Sequence, residues 1–123
     1  MAISQLKSKR KVSGKKYISF RKKRLGDLGG VSTLTQIGSS RTKIKRVKGG
    51  NIKKSLLSNE FVCVNDGKKT TKLNILGVEN NPANVNYTRR NIITKGAIVK
   101  TEKGDVRITS RPGQSGVLFG VFL

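Results

Sequence analysis

The sequence predicts an all-β protein, a small β-barrel of about six short strands preceded by a basic, extended N-terminal arm. Short β-type runs separated by Gly, Asn and Asp follow one another from about residue 55 to residue 123. The first 26 residues contain ten Lys or Arg, no acid and few bulky apolar residues. A closed barrel has no exposed strand edges, which favours it over an open sheet of the same strands.

The arm is expected to be disordered until it binds a partner, because it cannot bury enough apolar surface to offset the entropy of ordering. We assign residues 1–40 to this extension and residues 41–123 to the β-barrel domain. Tyr17 and Phe20 stand among the cations of the arm, where they would either stack on unpaired bases or anchor the arm on its own domain. The arm cations predicted to bind nucleic acid are Lys9, Arg10, Lys11, Lys15, Lys16, Arg21, Lys22, Lys23 and Arg24.

A glycine loop follows the arm, in the stretch Arg-Val-Lys-Gly-Gly-Asn-Ile-Lys-Lys at 46–54. A nucleotide P-loop ending at Lys54 and Ser55 would need glycines at 48 and 53, and both positions are Lys. Residues 42–47 predict a cationic strand instead, with a tight turn at Gly49 and Gly50. Backbone without side chains can approach a phosphate there. The predicted contacts are Arg46, Lys48, Gly49, Gly50, Asn51, Lys53 and Lys54.

Two hairpins and a final strand are predicted beyond the loop. The first runs from Phe61 to Val78 with its turn at Asp66 and Gly67, and the second from Ala97 to Ser110 with its turn at Lys103 and Gly104. A turn with Pro and Gly at its centre separates them from the apolar run 117–123. The apolar side chains assigned to packing include Cys63, Phe119 and Phe122.

The composition points to a polyanionic partner. The chain has 27 Lys and Arg against 6 Asp and Glu, a formal charge of +21, and 17 of the cations lie in residues 1–54 with a single acid. Such an imbalance favours nucleic acid. No apolar run approaches about 18 residues, and no apolar stretch follows the basic N-terminal residues, so neither a membrane span nor a secretory signal is expected. The chain is predicted to be intracellular.

The sequence contains few of the residue combinations that enzymes use for catalysis. Histidine is absent and Cys63 is the single cysteine, which excludes a disulfide, a His/Cys metal site and a Cys–His catalytic pair within one chain. The six acids are scattered, and their spacing does not favour paired carboxylates. We therefore predict no catalytic residue, no metal, no cofactor, no small-molecule substrate and no membrane partner.

Several ordered motifs resemble one known family. They include Arg-Val-Lys-Gly-Gly-Asn-Ile-Lys at 46–53, Tyr-Thr-Arg-Arg-Asn-Ile-Ile-Thr-Lys-Gly at 87–96 and Thr-Ser-Arg-Pro-Gly-Gln-Ser-Gly-Val at 109–117. With Thr-Gln-Ile-Gly at 35–38, they resemble the ribosomal protein eight-e family of the small subunit, in its compact archaeal form. One departure is Ser55, which stands where an Arg commonly follows the loop.

The resemblance implies a structural ribosomal protein that binds small-subunit rRNA, contacts neighbouring ribosomal proteins, supports subunit assembly and translation, and resides in the cytoplasm. Outside the arm and the loop, the candidate RNA-binding residues are Arg89, Arg90, Lys95 and Arg111. Guanidinium groups fork onto phosphates and stack, and Tyr87 lies beside the arginine pair. The alternative interpretation is that Arg89 and Arg90 are a solvated surface pair beside a core tyrosine. A DNA-compacting chromatin protein and a small RNA-processing enzyme are the alternative functions.

Overall fold

The computed structural model describes residues 3–6, 8–67 and 69–123. The chain divides into two compact units, Met1–Ser32 and Thr33–Leu123. Lys68, which belongs to the predicted turn of the first hairpin, lies outside the described residues. No helix of the described part is long and apolar enough to cross a membrane.

The second unit contains a closed five-stranded barrel, which confirms the all-β prediction. Its strands are β4 Phe61–Asn65, β5 Thr70–Asn80, β7 Ile98–Thr101, β8 Gly104–Ile108 and β9 Phe119–Phe122. Their hydrogen-bonded order is β4-β5-β7-β8-β9, and the parallel pairing of β9 with β4 closes the barrel. The antiparallel pairs β4–β5 and β7–β8 are the two predicted hairpins.

A four-stranded sheet lies in the same unit and was not predicted as a sheet. Its strands are β1 Thr35–Ile37, β2 Arg41–Arg46, β3 Ile52–Asn59 and β6 Ile92–Ile93. Their order is β2-β3-β1-β6, in which β1 is parallel to β3 and antiparallel to β6. β1 and β6 have only three and two residues, too few to show a period in the sequence. Two short helices, α1 Val85–Arg89 and α2 Pro112–Ser115, complete the unit.

A common core joins the sheet to the barrel. Leu56 of β3 and Ile93 of β6 belong to the same buried cluster as Val62, Val99 and Val106 of the barrel. Thr35 is fully buried, and its hydroxyl donates to the carbonyl of Leu56 at 2.7 Å. Because β1 is tied to this core, the compact unit includes residues that precede 41. The division at residue 40 and the disorder of the arm away from a partner remain predictions.

The last strand corrects one packing assignment. Phe122 is half-buried against the core, whereas Phe119 is exposed on the outside of the barrel. The inward position between them belongs to Gly120, which is buried. A run that is apolar throughout therefore alternates between inside and outside, because successive side chains of a strand point to opposite faces.

Candidate nucleic-acid interface

Strands β2 and β3 form an antiparallel hairpin with the glycine loop at its tip. A 3-10 turn at Lys48–Gly50 joins the strands, and the N–H of Val47 donates to the carbonyl of Asn51 at 2.8 Å. Gly49 and Gly50 have φ values of +78° and +74°, in the left-handed region that favours glycine. The predicted tight turn between two strands is confirmed, and both glycines are needed by its backbone.

The hairpin carries a dense and exposed positive charge. Residues 41–54 contain seven Lys and Arg and no acid, and every residue of this stretch except Val47 is exposed. Sequence reasoning selected the cations nearest the glycines and missed Arg41, Lys43 and Lys45 on β2. Their signal was present in the alternation of cations with Thr42 and Ile44. The structure adds these three to the candidate interface because β2 pairs with β3 along its whole length.

Helix α2 packs against β3 and brings Arg111 to the hairpin. The hydroxyl of Ser55 donates to the carbonyl of Gly113 at 2.7 Å. A Cβ at Gly116 would lie 3.0 Å from the Cβ of Lys54, so the chain passes close to β3 at this point. Arg111 directly precedes α2 and is exposed. Ser55 thus connects the hairpin to the Pro-Gly turn.

Asn81 holds the segment that carries Arg89 and Arg90. Its side chain is 2 % exposed, and its amide donates to the carbonyl of Ile92 at 2.9 Å. Its Oδ1 accepts from the N–H of Ala83 and from the hydroxyl of Thr94. Sequence reasoning did not select Asn81 as a structural residue, because a buried role for an Asn in a turn-like context has no periodic signal.

Arg89 and Arg90 lie at the C-terminal end of α1 and are both exposed. Tyr87 is half-buried on the same helix. Lys95 is exposed in the turn that follows β6. The two arginines are adjacent exposed cations, and their role in RNA binding stays a prediction.

Within the first unit, residues 9–17 form a small turn around Gly14. Arg10 and Lys16 make an isolated antiparallel bridge, and the guanidinium of Arg10 donates to the carbonyl of Gly14 at 2.8 Å. The ammonium of Lys11 lies 5.5 Å from the centre of the Tyr17 ring, within the range of a cation–π contact. This turn gathers five of the predicted arm cations: Lys9, Arg10, Lys11, Lys15 and Lys16.

Arg21 differs from the other predicted arm cations because its charge has a partner in the chain. Its Nη2 donates to both carboxylate oxygens of Asp27 at 3.1 Å. Its guanidinium also lies 5.2 Å from the centre of the Phe20 ring. The predicted role of Arg21 in phosphate binding stays a prediction, whereas Lys22, Lys23 and Arg24 beside it are exposed and have no ion pair among the described residues.

A surface pocket of about 640 Å³, open to solvent, lies within the first unit. Both arm aromatics, Tyr17 and Phe20, line it together with Arg10, Lys16 and Arg21. Its volume falls in the range of sites that accept small ligands, roughly 300–1,000 Å³. Rings beside cations are the groups that hold an unpaired nucleotide, by stacking on the base and neutralising the phosphate. Sequence reasoning predicted these residue types but gave no pocket.

The acidic residues form no metal centre in the described part of the chain. No group of three Cys, Asp or Glu side chains there lies close enough to hold a metal ion. Asp27 is paired with Arg21, and Glu102 accepts from the amide of Asn74 at 2.6 Å. These two acids act as partners of neighbouring side chains.

Comparison with known proteins decides the family. The family model described as ribosomal protein S8e matches residues 4–123. The chain belongs to the ribosomal protein S8e family. The small ribosomal subunit protein eS8 of Methanobrevibacter smithii is 46% identical over 125 residues, covering 100% of each chain. Those of Methanospirillum hungatei and Staphylothermus marinus are 46% and 48% identical, covering 97% or more of each chain.

Membership in the S8e family confirms the resemblance that the motifs indicated. The match spans the hairpin, Arg89 and Arg90, and the Pro-Gly turn, together with most of the arm. The family is one of ribosomal proteins rather than of enzymes, and the similar chains named here come from archaea. The compact length of this S8e chain agrees with theirs, since the alignments cover nearly the whole of both partners.

Replacing Gly50 in this S8e chain tests the loop. A Cβ at Gly50 would meet no atom within 4 Å, so the penalty of Gly50→Val comes from its φ of +74°. A β-branched residue in this region is strained by about 1–3 kcal/mol or more, and the turn must rearrange. We expect Gly50→Val to weaken binding to an rRNA fragment more than Lys48→Gln or Lys53→Gln does singly. Filter binding measures the affinities, and thermal unfolding checks the fold. Equal affinity of wild type and folded Gly50→Val would show that the loop is only a turn.

Proposed function

We propose that the chain is a structural constituent of the small ribosomal subunit that binds rRNA mainly through phosphate contacts. The main support for this function is the hairpin at 41–54, which has seven exposed cations and no acid. Family membership supports the ribosomal setting, since similar chains are named small ribosomal subunit proteins. The chain supports subunit assembly and translation in the cytoplasm, and its partners are rRNA and neighbouring ribosomal proteins.

The contacts are expected to fall on the backbone of the RNA. Side chains cannot enter the deep, narrow major groove of an A-form helix, so shape, 2′-hydroxyls and loops supply the specificity. The arm neutralises phosphate with its cations, and Tyr17 and Phe20 offer rings to an unpaired base. The hairpin, Arg89, Arg90, Lys95 and Arg111 provide the contacts of the second unit.

Affinity purification of the tagged full chain at low salt tests the function. We expect small-subunit rRNA and ribosomal proteins to co-purify. Equal recovery of duplex DNA would favour a chromatin protein, and a two-stranded ribbon of the size of β2–β3 does fit the major groove of B-DNA. Turnover of the bound RNA would favour a processing enzyme. Either result would contradict the proposed function.

Removing residues 1–32, most of the arm, separates folding from binding. The fragment 33–123 keeps β1 with its buried Thr35 and drops ten Lys and Arg and one Asp. We expect its rRNA affinity to fall at least tenfold, with a shallower salt dependence, because fewer phosphates are neutralised. Its thermal midpoint should change little, since residues 33–123 form a compact unit by themselves.

Thermal unfolding and rRNA binding are measured on the same preparation of this fragment and of the full chain. An unfolded fragment would show that the arm belongs to the core. A folded fragment that binds as tightly as the full chain would show that the arm is not an RNA-binding element.

A further inference from the structure

The β2–β3 hairpin has two different faces, which the register of its strands defines. Residues directly opposite each other in an antiparallel pair point to the same face, and successive residues point to opposite faces. Lys43 is opposite Ser55 and Lys45 is opposite Lys53. We call the face that carries Lys43, Lys45 and Lys53 the lysine face. The opposite face carries Ile44, Arg46, Ile52 and Lys54, and we call it the isoleucine face.

Both faces are open along the outer part of the hairpin. All three residues of the lysine face and all four of the isoleucine face are exposed. Ile44 and Ile52 are 63% and 62% exposed, a large fraction for β-branched apolar side chains. Leu56, farther along the isoleucine face toward the core, is 2% exposed. The hairpin therefore leaves the core beyond Leu56. Helix α2 packs against β3 at Ser55 and Lys54, whereas Lys43, Lys45 and Lys53 on one face and Ile44, Arg46 and Ile52 on the other remain exposed.

The lysine face carries unrelieved repulsion. Lys45 and Lys53 are directly opposite across the strands, an arrangement that destabilises a hairpin. No acid occurs between residues 28 and 59, and the ion pair formed by described residues is that of Arg21 with Asp27. An anion on this face would relieve the repulsion. Three ammonium groups on a strand pair match a row of phosphates, which they bind as point charges.

The isoleucine face combines charged and apolar groups, so it fits a different part of a binding partner than the lysine face does. Arg46 and Lys54 supply charge, while Ile44 and Ile52 offer apolar surface between them. Water covers this apolar surface in the free chain, and a partner that removes it gains roughly 25 cal/mol per Å². The edge of an RNA backbone presents both kinds of group, because the carbon atoms of the riboses lie beside the phosphates in the shallow minor groove.

We propose that the hairpin is inserted between two separate RNA backbone segments, one on each face. Phosphates of one segment line the lysine face, and riboses and phosphates of the other line the isoleucine face. The six residues of β2 give the hairpin a length of about 20 Å at roughly 3.3 Å per residue, enough to follow several nucleotides on each side. This inference rests on the proposed function and adds that the chain bridges two parts of the rRNA.

Bridging explains why charge is placed on both faces. A hairpin that docked with one face would gain less from cations on the other, which would repel their neighbours and remain in water. A bridge neutralises both sets and lowers the repulsion between two backbones that approach each other. The hairpin then holds two rRNA segments in a fixed arrangement, which is a structural role for a subunit protein.

Directed hydroxyl-radical cleavage of rRNA tests the two faces separately. Cys63 is the single cysteine, so Cys63→Ser leaves a background without thiols. Lys45→Cys and Ile44→Cys in this full-length background place an iron chelate on adjacent residues that point to opposite faces. Lys100→Cys, an exposed lysine of the barrel, is the matched control. Each protein is assembled with small-subunit rRNA before cleavage, and thermal unfolding checks its fold.

We expect Lys45→Cys and Ile44→Cys to cleave two rRNA segments that are not adjacent in the secondary structure, and Lys100→Cys to cleave neither. Lys53→Cys and Ile52→Cys on the partner strand repeat the test if a first variant fails to fold, and they should reproduce the same two segments. Cleavage of one common segment from both faces, or from one face alone, would overturn the bridge while leaving rRNA binding intact. Failure of the Cys63→Ser parent to bind rRNA would overturn the proposed function and the bridge together.

Discussion

The affinity of the full chain for a small-subunit rRNA fragment should fall at least ~10³-fold between about 50 and 200 mM salt. Each phosphate neutralised by Lys or Arg releases condensed counterions, and log K falls with log salt by roughly 0.7–0.9 per phosphate. The chain holds 27 cations, of which seven are exposed on or around one hairpin. Six to ten phosphate contacts, a fraction of this number, produce a loss of about 10³–10⁵.

Filter binding over a salt series measures this slope, and a pH series is the control. The chain has no His, so its charge is expected to be nearly constant between about pH 6 and 8. The affinity at one salt concentration should therefore be the same across this range. A nearly flat dependence on salt would contradict a mechanism based on phosphate neutralisation, and a switch with pH would require a group that we have not identified.

Adding one methyl group inside the barrel should strongly destabilise the second unit. A Cβ at Gly120 would lie 2.4 Å from Cγ1 of Val106 and 3.0 Å from the carbonyl oxygen of Arg107. Val106 is fully buried, and the oxygen belongs to the backbone of β8, so neither can move easily. Overpacking of this kind costs about 1–3 kcal/mol, which exceeds the roughly 0.4–1 kcal/mol that Gly→Ala contributes through the unfolded state. We expect Gly120→Ala to lower the thermal midpoint by several degrees.

The matched control is Gly77→Ala in β5 of the same barrel. A Cβ at Gly77 would meet no atom within 4 Å, so this variant is expected to be as stable as the wild type or slightly more stable. Denaturant unfolding followed by circular dichroism compares the three proteins. A Gly120→Ala variant as stable as Gly77→Ala would show that β8 and β9 are farther apart than the structure gives.

The hairpins were predictable because their signals are local. Asp66-Gly67 and Lys103-Gly104 supply turn residues between alternating runs, and both pairs of strands form as expected. The cationic strand before Gly49 was predictable for the same reason. Most of the candidate interface therefore followed from sequence, with the glycine turn at its centre.

Other parts of the interface depend on contacts between distant segments. Lys45 and Lys53 become a like-charged pair through the register of β2 with β3, and Arg111 reaches the hairpin through the bond from Ser55 to Gly113. Arg21 looked like every other arm cation until the structure paired it with Asp27. Residue type predicts that such groups bind phosphate, but it does not say which of them have a partner in their own chain.

The position of Phe119 shows the same limit in the barrel. Its sequence surroundings are apolar, which predicted burial, yet 46% of the side chain is exposed. Gly120 must point inward because Val106 fills the space in front of it, and Phe119 then points outward. Packing in the barrel interior decides which alternate residues of the strand point inward. A uniformly apolar run does not show which set of residues this is.

By itself the sequence determined the charge of the protein, the absence of histidine chemistry, the turns and the all-β class, because these depend on composition and on residues close together in the chain. The tertiary structure alone decided that β1 and β6 complete a second sheet, that β9 closes the barrel on β4, and that the hairpin has two open faces. Each of these depends on pairing between segments far apart in sequence, where many registers satisfy the local pattern and packing of the common core selects one.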